Sequence, residues 1–393
     1  MLNSDSRIIN FIRFPLACMV VILHSYIGVQ GFHISQVHWG HLTGVDIYSL
    51  VGITFSHVLT HVAVPVFFFV SGFLFYQGLQ QWSWLSWSNK LKRRLKTLLV
   101  PYLNWNTIMA LITIGIMVLA TLLFGKPVDR IRLWFEEIGG VTGIYWSNLS
   151  TGVVKENMLG YSNHSFYPLL MPMWFVRDLM VVVVISPIIY FFLKKNSSIA
   201  LILIGLFWIL GIGTNIPGLS FASLFFFMIG GAFSLRNISF SETFKKVYKP
   251  VLIVLFVVLG LASVFFDGRS TAIGQIILSL WILVALVTIM IFAGECIERC
   301  PVFSETVAKL ADTTYFVFAF HGVIIIYVHI ALWKLFGVQT QAGFLDATYI
   351  ENHPWNGIFS YLFTPCLTIA ISLAGYWIVK KMFKKWSWLL IGK

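Results

Sequence analysis

Two ionisable residues interrupt the first apolar run of this sequence, Arg13 and His24. They lie eleven positions apart. On a helix that is about three turns, roughly 16 Å along the axis, and it brings both side chains to nearly one face with Ala17 and Val20 on the line between them. An ionisable group in the middle of a membrane helix costs about 2.5–3.5 kcal/mol, so it normally faces a bundle interior or a wet cavity. Histidine is the side chain suited to proton transfer near neutral pH, and arginine supplies a fixed cation for developing negative charge. Bland readings stand beside these. Arg13, about two turns in, can snorkel to the nearer interface, and His24 can be an interfacial residue at the other helix end.

Other residues invite the same question. Lys90, Lys92, Arg93, Arg94 and Lys96 place five cations within seven residues, either as a topology signal or as a clamp for an anionic cofactor. The segment MPMWFVRDLM opens an apolar run with Pro172 suited to a first turn. It carries Trp174, Arg177 and Asp178, the last two as a site or as a packing ion pair. His321 interrupts YFVFAFHGVIII, as part of a cavity or as a satisfied core histidine. His57 and His61 share a helix face but have no carboxylate between them and no third ligand in view, so no metal site is expected. Cys296 and Cys300 do not form a C-x-x-C pair, and Cys18 and Cys366 lie inside apolar runs. Nucleophile-elbow, phosphate-loop and dinucleotide fingerprints are missing.

The elements that position these residues follow from composition. Of 393 residues, 58% are hydrophobic and 11% charged, against roughly 45–50% and about 25% in soluble domains. Lipid is therefore the expected solvent, and the fold class is all-α. About ten transmembrane helices are predicted, at 8–30, 50–77, 98–124, 172–193, 198–213, 219–236, 249–266, 271–293, 312–333 and 357–381, within one domain over 1–393. The first run lacks a small-residue cleavage site and is predicted to be a retained helix. The net charge of +12 sits in short clusters between apolar runs. These clusters alternate as the positive-inside rule requires when the N-terminus is cytoplasmic. No basic stripe on a soluble module accompanies them, so nucleic acid is not an expected partner. The longest connections, 125–171 and 334–356, are expected on the outer side, the first with short re-entrant or interfacial helices.

Read in order, RIINFIRFPLACMVVILHSY, VPVFFFVSGFLF, KRRLKTLLVPYLNWN, MWFVRDLMVVVVISPII, FFFMIGGAF and YFVFAFHG resemble the membrane acyltransferase 3 family over nearly the whole chain. The resemblance implies about ten helices, an acyl-CoA donor reached from the cytoplasm, and acyl delivery to a hydroxyl of a cell-surface glycan or related acceptor. It assigns His24 to the family's essential first-helix histidine and Arg13 to its essential arginine. The family's paired-arginine motif falls on Arg93, Arg94 and Lys96, with Lys96 where the second arginine would stand. Pro65 occupies a position at which many members carry an acid, and no counterpart of the soluble hydrolase-like domain fused to some members is evident.

The resulting expectation is an inner-membrane O-acyltransferase, foremost an O-acetyltransferase using acetyl-CoA. It would hold no tightly bound cofactor. Its partners would be membrane lipid, acyl-CoA and a glycan or lipid-linked sugar. His24 and Arg13 would be catalytic, Arg93, Arg94 and Lys96 would bind the donor, and Trp174, Arg177, Asp178 and His321 would bind the acceptor. A transporter or flippase of a glycan intermediate fits the same composition, but it commonly carries internal repeats, and none is evident.

Overall fold

The computed structural model describes the chain except residues 1, 30–31, 80, 157–161, 268–270, 337–346 and 393. It is 79% helical. Among the described residues, six helices are long and apolar enough to cross a bilayer: Ser4–Ser25, Gly44–Tyr76, Trp84–Phe124, Ala272–Arg299, Pro301–Leu335 and Pro354–Met382. Leu111, Leu122, Leu123 and Phe124 stand 62–74% exposed, an apolar surface that only lipid can cover. The chain is a multi-pass membrane protein.

Among the described residues, length and composition do not confirm the expected count of about ten spans. Met171–Val184 and Ser186–Lys195 pass together, as a possible seventh span, but are bent by 62° at their junction. Pro187 stands just beyond that break and cannot supply the backbone N–H that a straight helix needs. Phe221–Leu235 and Lys249–Phe265 are apolar but short, whereas the helix after the break runs on as Ser186–Ile209.

Two features add to the expected arrangement. The basic cluster, between the expected spans 50–77 and 98–124, is itself helical. Arg93 and Arg94 close the helix Trp84–Arg94, and Lys96 lies in the π turn Leu95–Leu99 that leads into Val100–Phe124. Leu, Lys and Arg are strong helix formers, and the Ser83 hydroxyl caps the start by accepting from the Ser86 N–H at 3.4 Å. The all-α chain also holds one small hairpin. Within 125–171, after the short helices Arg130–Glu137 and Gly140–Tyr145, strands Asn148–Glu156 and Ser162–Tyr167 pair antiparallel with Val154 opposite His164. The NLSTGVVKE strand carries β-branched residues that favour extended backbone. The centre of the expected 334–356 loop lies outside the described residues.

The chain forms two compact units, residues 1–70, 209–211 and 236–377, and residues 71–208, 212–235 and 378–393. In the first, the helix Leu2–Ser25 buries Ile8, Ile12, Leu16, Ala17, Val20 and Val21. Its start is anchored by Asp5, whose carboxylate accepts from the Ser239 hydroxyl at 2.9 Å and the Ser241 N–H at 3.0 Å. The helix Gly44–Tyr76 begins at a reciprocal Thr43–Asp46 capping box. It is then interrupted by a π stretch, Ile53–Val58, and a 3-10 turn, Leu59–Val62. Ser56, in the π stretch, donates to the Ile22 carbonyl of the first helix at 2.8 Å and meets the Tyr361 hydroxyl at 2.9 Å.

In the second unit, small residues set the helix spacing. A Cβ added to Gly72 would lie 2.0 Å from the Phe227 carbonyl oxygen, and one on Gly231 would lie 2.7 Å from the Tyr76 ring. The glycines of the SGF and IGGAF segments therefore let helix backbone and ring approach closely. Lys90 donates to the Phe75 and Gln77 carbonyls at 2.6 and 2.9 Å, closing the end of the helix Gly44–Tyr76. The terminal helix Trp388–Ile391 is held by Asn104 on the Leu389 carbonyl and Trp105 on the Leu390 carbonyl.

Candidate active site

In the first unit the last turn of helix Leu2–Ser25 meets the helix Thr314–Leu335. The His24 and His321 rings stand with centroids 5.4 Å apart and planes tilted by 33°. His321 is fully buried. Its Nδ1 lies 3.2 Å from the Val317 carbonyl one turn back, and its Nε2 has no hydrogen-bond partner among the described residues. With Nδ1–H donated to that carbonyl, Nε2 carries the lone pair. An unsatisfied buried polar atom is uncommon and calls for a reason.

Arg13 is half-buried and lies on the same continuous helix as His24, with Ala17 and Val20 buried between them. The charge acting on it comes from Asp312, in the 3-10 turn Leu310–Thr313 that precedes the His321 helix. The arginine therefore does not stand alone in apolar surroundings, and a carboxylate offsets part of the cost of its burial.

Beyond His24 the first helix ends and a polar layer follows. Tyr26 packs against Tyr48, His57 and Tyr361, at ring distances of 5.4, 5.2 and 6.0 Å. Its ring fills the place a side chain on Gly52 would need, 2.0 Å from an added Cβ. Burial pushes the Tyr26 phenol up to about 12, so it stays a neutral hydroxyl. Eight residues after His321 comes a second buried histidine, His329. Its Nδ1 faces the Thr364 hydroxyl at 3.2 Å and the Ser360 hydroxyl at 3.5 Å, while Trp333 donates to Ser360 at 3.2 Å. No group of His, Cys, Asp or Glu suited to a metal occurs among the described residues. His57 is spent on Tyr26, and the Nδ1 of His61 lies 3.4 Å from the Ser56 carbonyl.

The remaining expected site residues lie in the second unit. Arg177 and Asp178 are each 3% exposed. The guanidinium donates to the Asp178 carboxylate at 2.9 and 3.1 Å, to the Phe166 carbonyl at 3.0 Å and to the Trp146 carbonyl, and it stacks over the Trp146 ring. Four of its five N–H donors are thus used in tying the hairpin to the helix Trp174–Val184. Trp174 is half-buried and meets Tyr167 edge-on. Arg93 is exposed and Arg94 half-buried, and the Lys96 ammonium stands 5.2 Å over the Trp388 ring. Asp312 and His329 are the residues that sequence reading passed over. Their signals were a carboxylate in the turn before YFVFAFHG and a second histidine two helical turns after the first.

The first helix of this multi-pass membrane protein thus carries a half-buried Arg13 and His24, the latter beside the buried His321. The chain belongs to the acyltransferase 3 family: it matches the family model described as an acyltransferase domain over residues 7–377. No curated protein and no solved structure matches it.

Proposed function

We propose that this chain is an O-acyltransferase of the inner membrane, N-terminus in the cytoplasm, that moves an acetyl group from acetyl-CoA to a hydroxyl of a cell-surface glycan or lipid-linked sugar. The observation that carries the reading is the His24–His321 ring pair at 5.4 Å, in a chain whose family is defined by acyl transfer.

In the reaction the acceptor oxygen attacks the thioester carbonyl carbon, the carbon–sulfur bond breaks, and the ester carbon–oxygen bond forms. His24 takes the hydroxyl proton as general base and returns it to the departing CoA thiolate, so the imidazole ends neutral. His321, whose Nε2 is uncommitted, is placed to share that proton while His24 is charged. Arg13, some three turns from His24 on the same helix, orients the CoA donor through its charge. Attack by His24 itself, through an acyl-imidazole, uses the same geometry. Arg93, Arg94 and Lys96 are assigned to CoA phosphates, which Arg and Lys recognise by charge and by paired donors. Trp174, Arg177 and Asp178 are assigned to the acceptor side, Arg177 through the hairpin it holds.

The test is transfer of labelled acetyl from acetyl-CoA into envelope glycan by membranes holding this protein, beside His24→Ala at matched expression. Label that requires His24 supports the assignment. Full label with His24→Ala removes it. Label in neither sample, with substrate crossing the bilayer unchanged, moves the chain to the transporter reading.

A further inference from the structure

On its other side the first helix lines a cavity that the transfer chemistry does not use. Phe11, Leu16, Val62, Phe256, Ile289 and Phe292 are among the walls of a space of about 580 Å3 within the first unit. Its polar groups are already occupied. The Thr288 hydroxyl donates to the Val284 carbonyl at 2.8 Å and the Trp281 N–H to the Phe256 carbonyl at 3.1 Å. An apolar space of this kind offers water no partners. Along the helix Ala272–Arg299 its lining runs from Trp281 to Cys296, about 22 Å at the helical rise, a length that suits an extended hydrocarbon chain.

At the Phe11 end a second, polar pocket begins, of about 300 Å3, and Phe11 lines both. Arg7, Asn10, Ser304 and Glu305 line this one. It holds one cation and one anion, and no ion pair joins Arg7 to Glu305 among the described residues. The neighbouring charges are already matched: Lys245 pairs with Glu298 at 2.9 Å, and Lys249 and Arg299 both pair with Glu295. The polar pocket thus presents a separated plus and minus, with no surplus of either, directly above an apolar slot.

We infer that these joined pockets bind one zwitterionic glycerophospholipid of the phosphatidylethanolamine type. Its phosphate sits on Arg7, its ammonium on Glu305 and one acyl chain lies in the slot against the first helix. Arginine matches a phosphate with paired donors, and a carboxylate matches an ammonium. An anionic lipid such as phosphatidylglycerol satisfies Arg7 but leaves Glu305 facing a neutral or repelling headgroup. The lipid then wedges the helix that carries Arg13 and His24, because Phe11, Ile12, Pro15, Leu16 and Met19 on that helix all line the slot.

The experiment is native mass spectrometry of the full chain in mild detergent, equilibrated with equal amounts of phosphatidylethanolamine and phosphatidylglycerol. The expected result is one retained phosphatidylethanolamine, preferred by about tenfold, the equivalent of one charge-assisted contact. Glu305→Lys is expected to invert the preference, and Ile289→Trp, which fills the slot, to abolish retention while the protein stays monodisperse. Equal retention of both lipids, retention of neither, or an unchanged preference in Glu305→Lys overturns the inference. The inverted preference is a gain of binding that a misfolded protein cannot produce, so the test holds even if Ile289→Trp fails to fold.

Discussion

The His24 and His321 rings lie 5.4 Å apart, the first in the closing turn of one helix and the second wholly buried in another. Two imidazoles that close cannot both be charged without mutual repulsion. On the proposed reading the two rings act together as one base.

His321→Gln is expected to lower kcat by about 10²- to 10⁴-fold, the usual contribution of a proton-transferring group. Combined with His24→Ala it should add little further loss, because residues that act as a unit are not additive. Labelled-acetyl transfer by the two single variants and the double variant measures this. Multiplicative losses would mean that the rings act independently.

Asp312→Asn removes the carboxylate charge that acts on Arg13 while keeping its shape. The expected effect is about a tenfold fall in kcat/KM, equivalent to about 1.4 kcal/mol of transition-state stabilisation. Asp312→Glu should recover part of it. Steady-state kinetics with varied acyl-CoA, and matched membrane levels of each variant, provide the readout.

Gly72→Ala should destabilise the protein by at least about 1–3 kcal/mol, the range for overpacking, because its Cβ would meet the Phe227 carbonyl oxygen at 2.0 Å and backbone cannot step aside. Gly115→Ala is the control. It lies in the helix Val100–Phe124 with nothing within 4 Å of the added carbon, so Tm should stay level or rise slightly. Thermal unfolding in one detergent compares the two.

Arg177→Ala leaves the Asp178 carboxylate buried without its partner and is expected to cost about 3–5 kcal/mol. Arg177→Met with Asp178→Leu should cost much less than either charge removed alone, since a buried pair replaced by apolar groups is often near neutral. The midpoints of unfolding of the single and double variants decide it.

The first helix was legible because its pattern is local: one long apolar run broken only by Arg13 and His24, about three turns apart. The His321 contact was not, since it depends on how two helices nearly three hundred residues apart in sequence dock. Asp312 was hidden by its position at the boundary of a span, where a carboxylate reads as a solvated end. The basic cluster fell between the predicted spans because its charge density suggested water, while the helix-forming Leu, Lys and Arg residues around Arg93 carry it into a helix. The 62° bend had a visible cause in Pro187, but the apolar pattern runs straight through it. The hairpin within 125–171 was masked by its polar residues and by the weight of helix elsewhere.

The interrupted helix Gly44–Tyr76 has an effect on registration. A π stretch winds more loosely than an α-helix and a 3-10 turn more tightly, and here Ile53–Val58 is followed at once by Leu59–Val62. The rotational lag of the first is largely made up by the lead of the second. The chain can therefore swing Ser56 around to the Ile22 carbonyl without changing the direction in which Gly72, more than four turns further on, must face. A single-residue deletion in the π stretch would take away the lag and leave the lead. Every side chain from Ala63 to Tyr76 would then turn by about 100°, and a change far from Gly72 would aim a different residue at the Phe227 backbone.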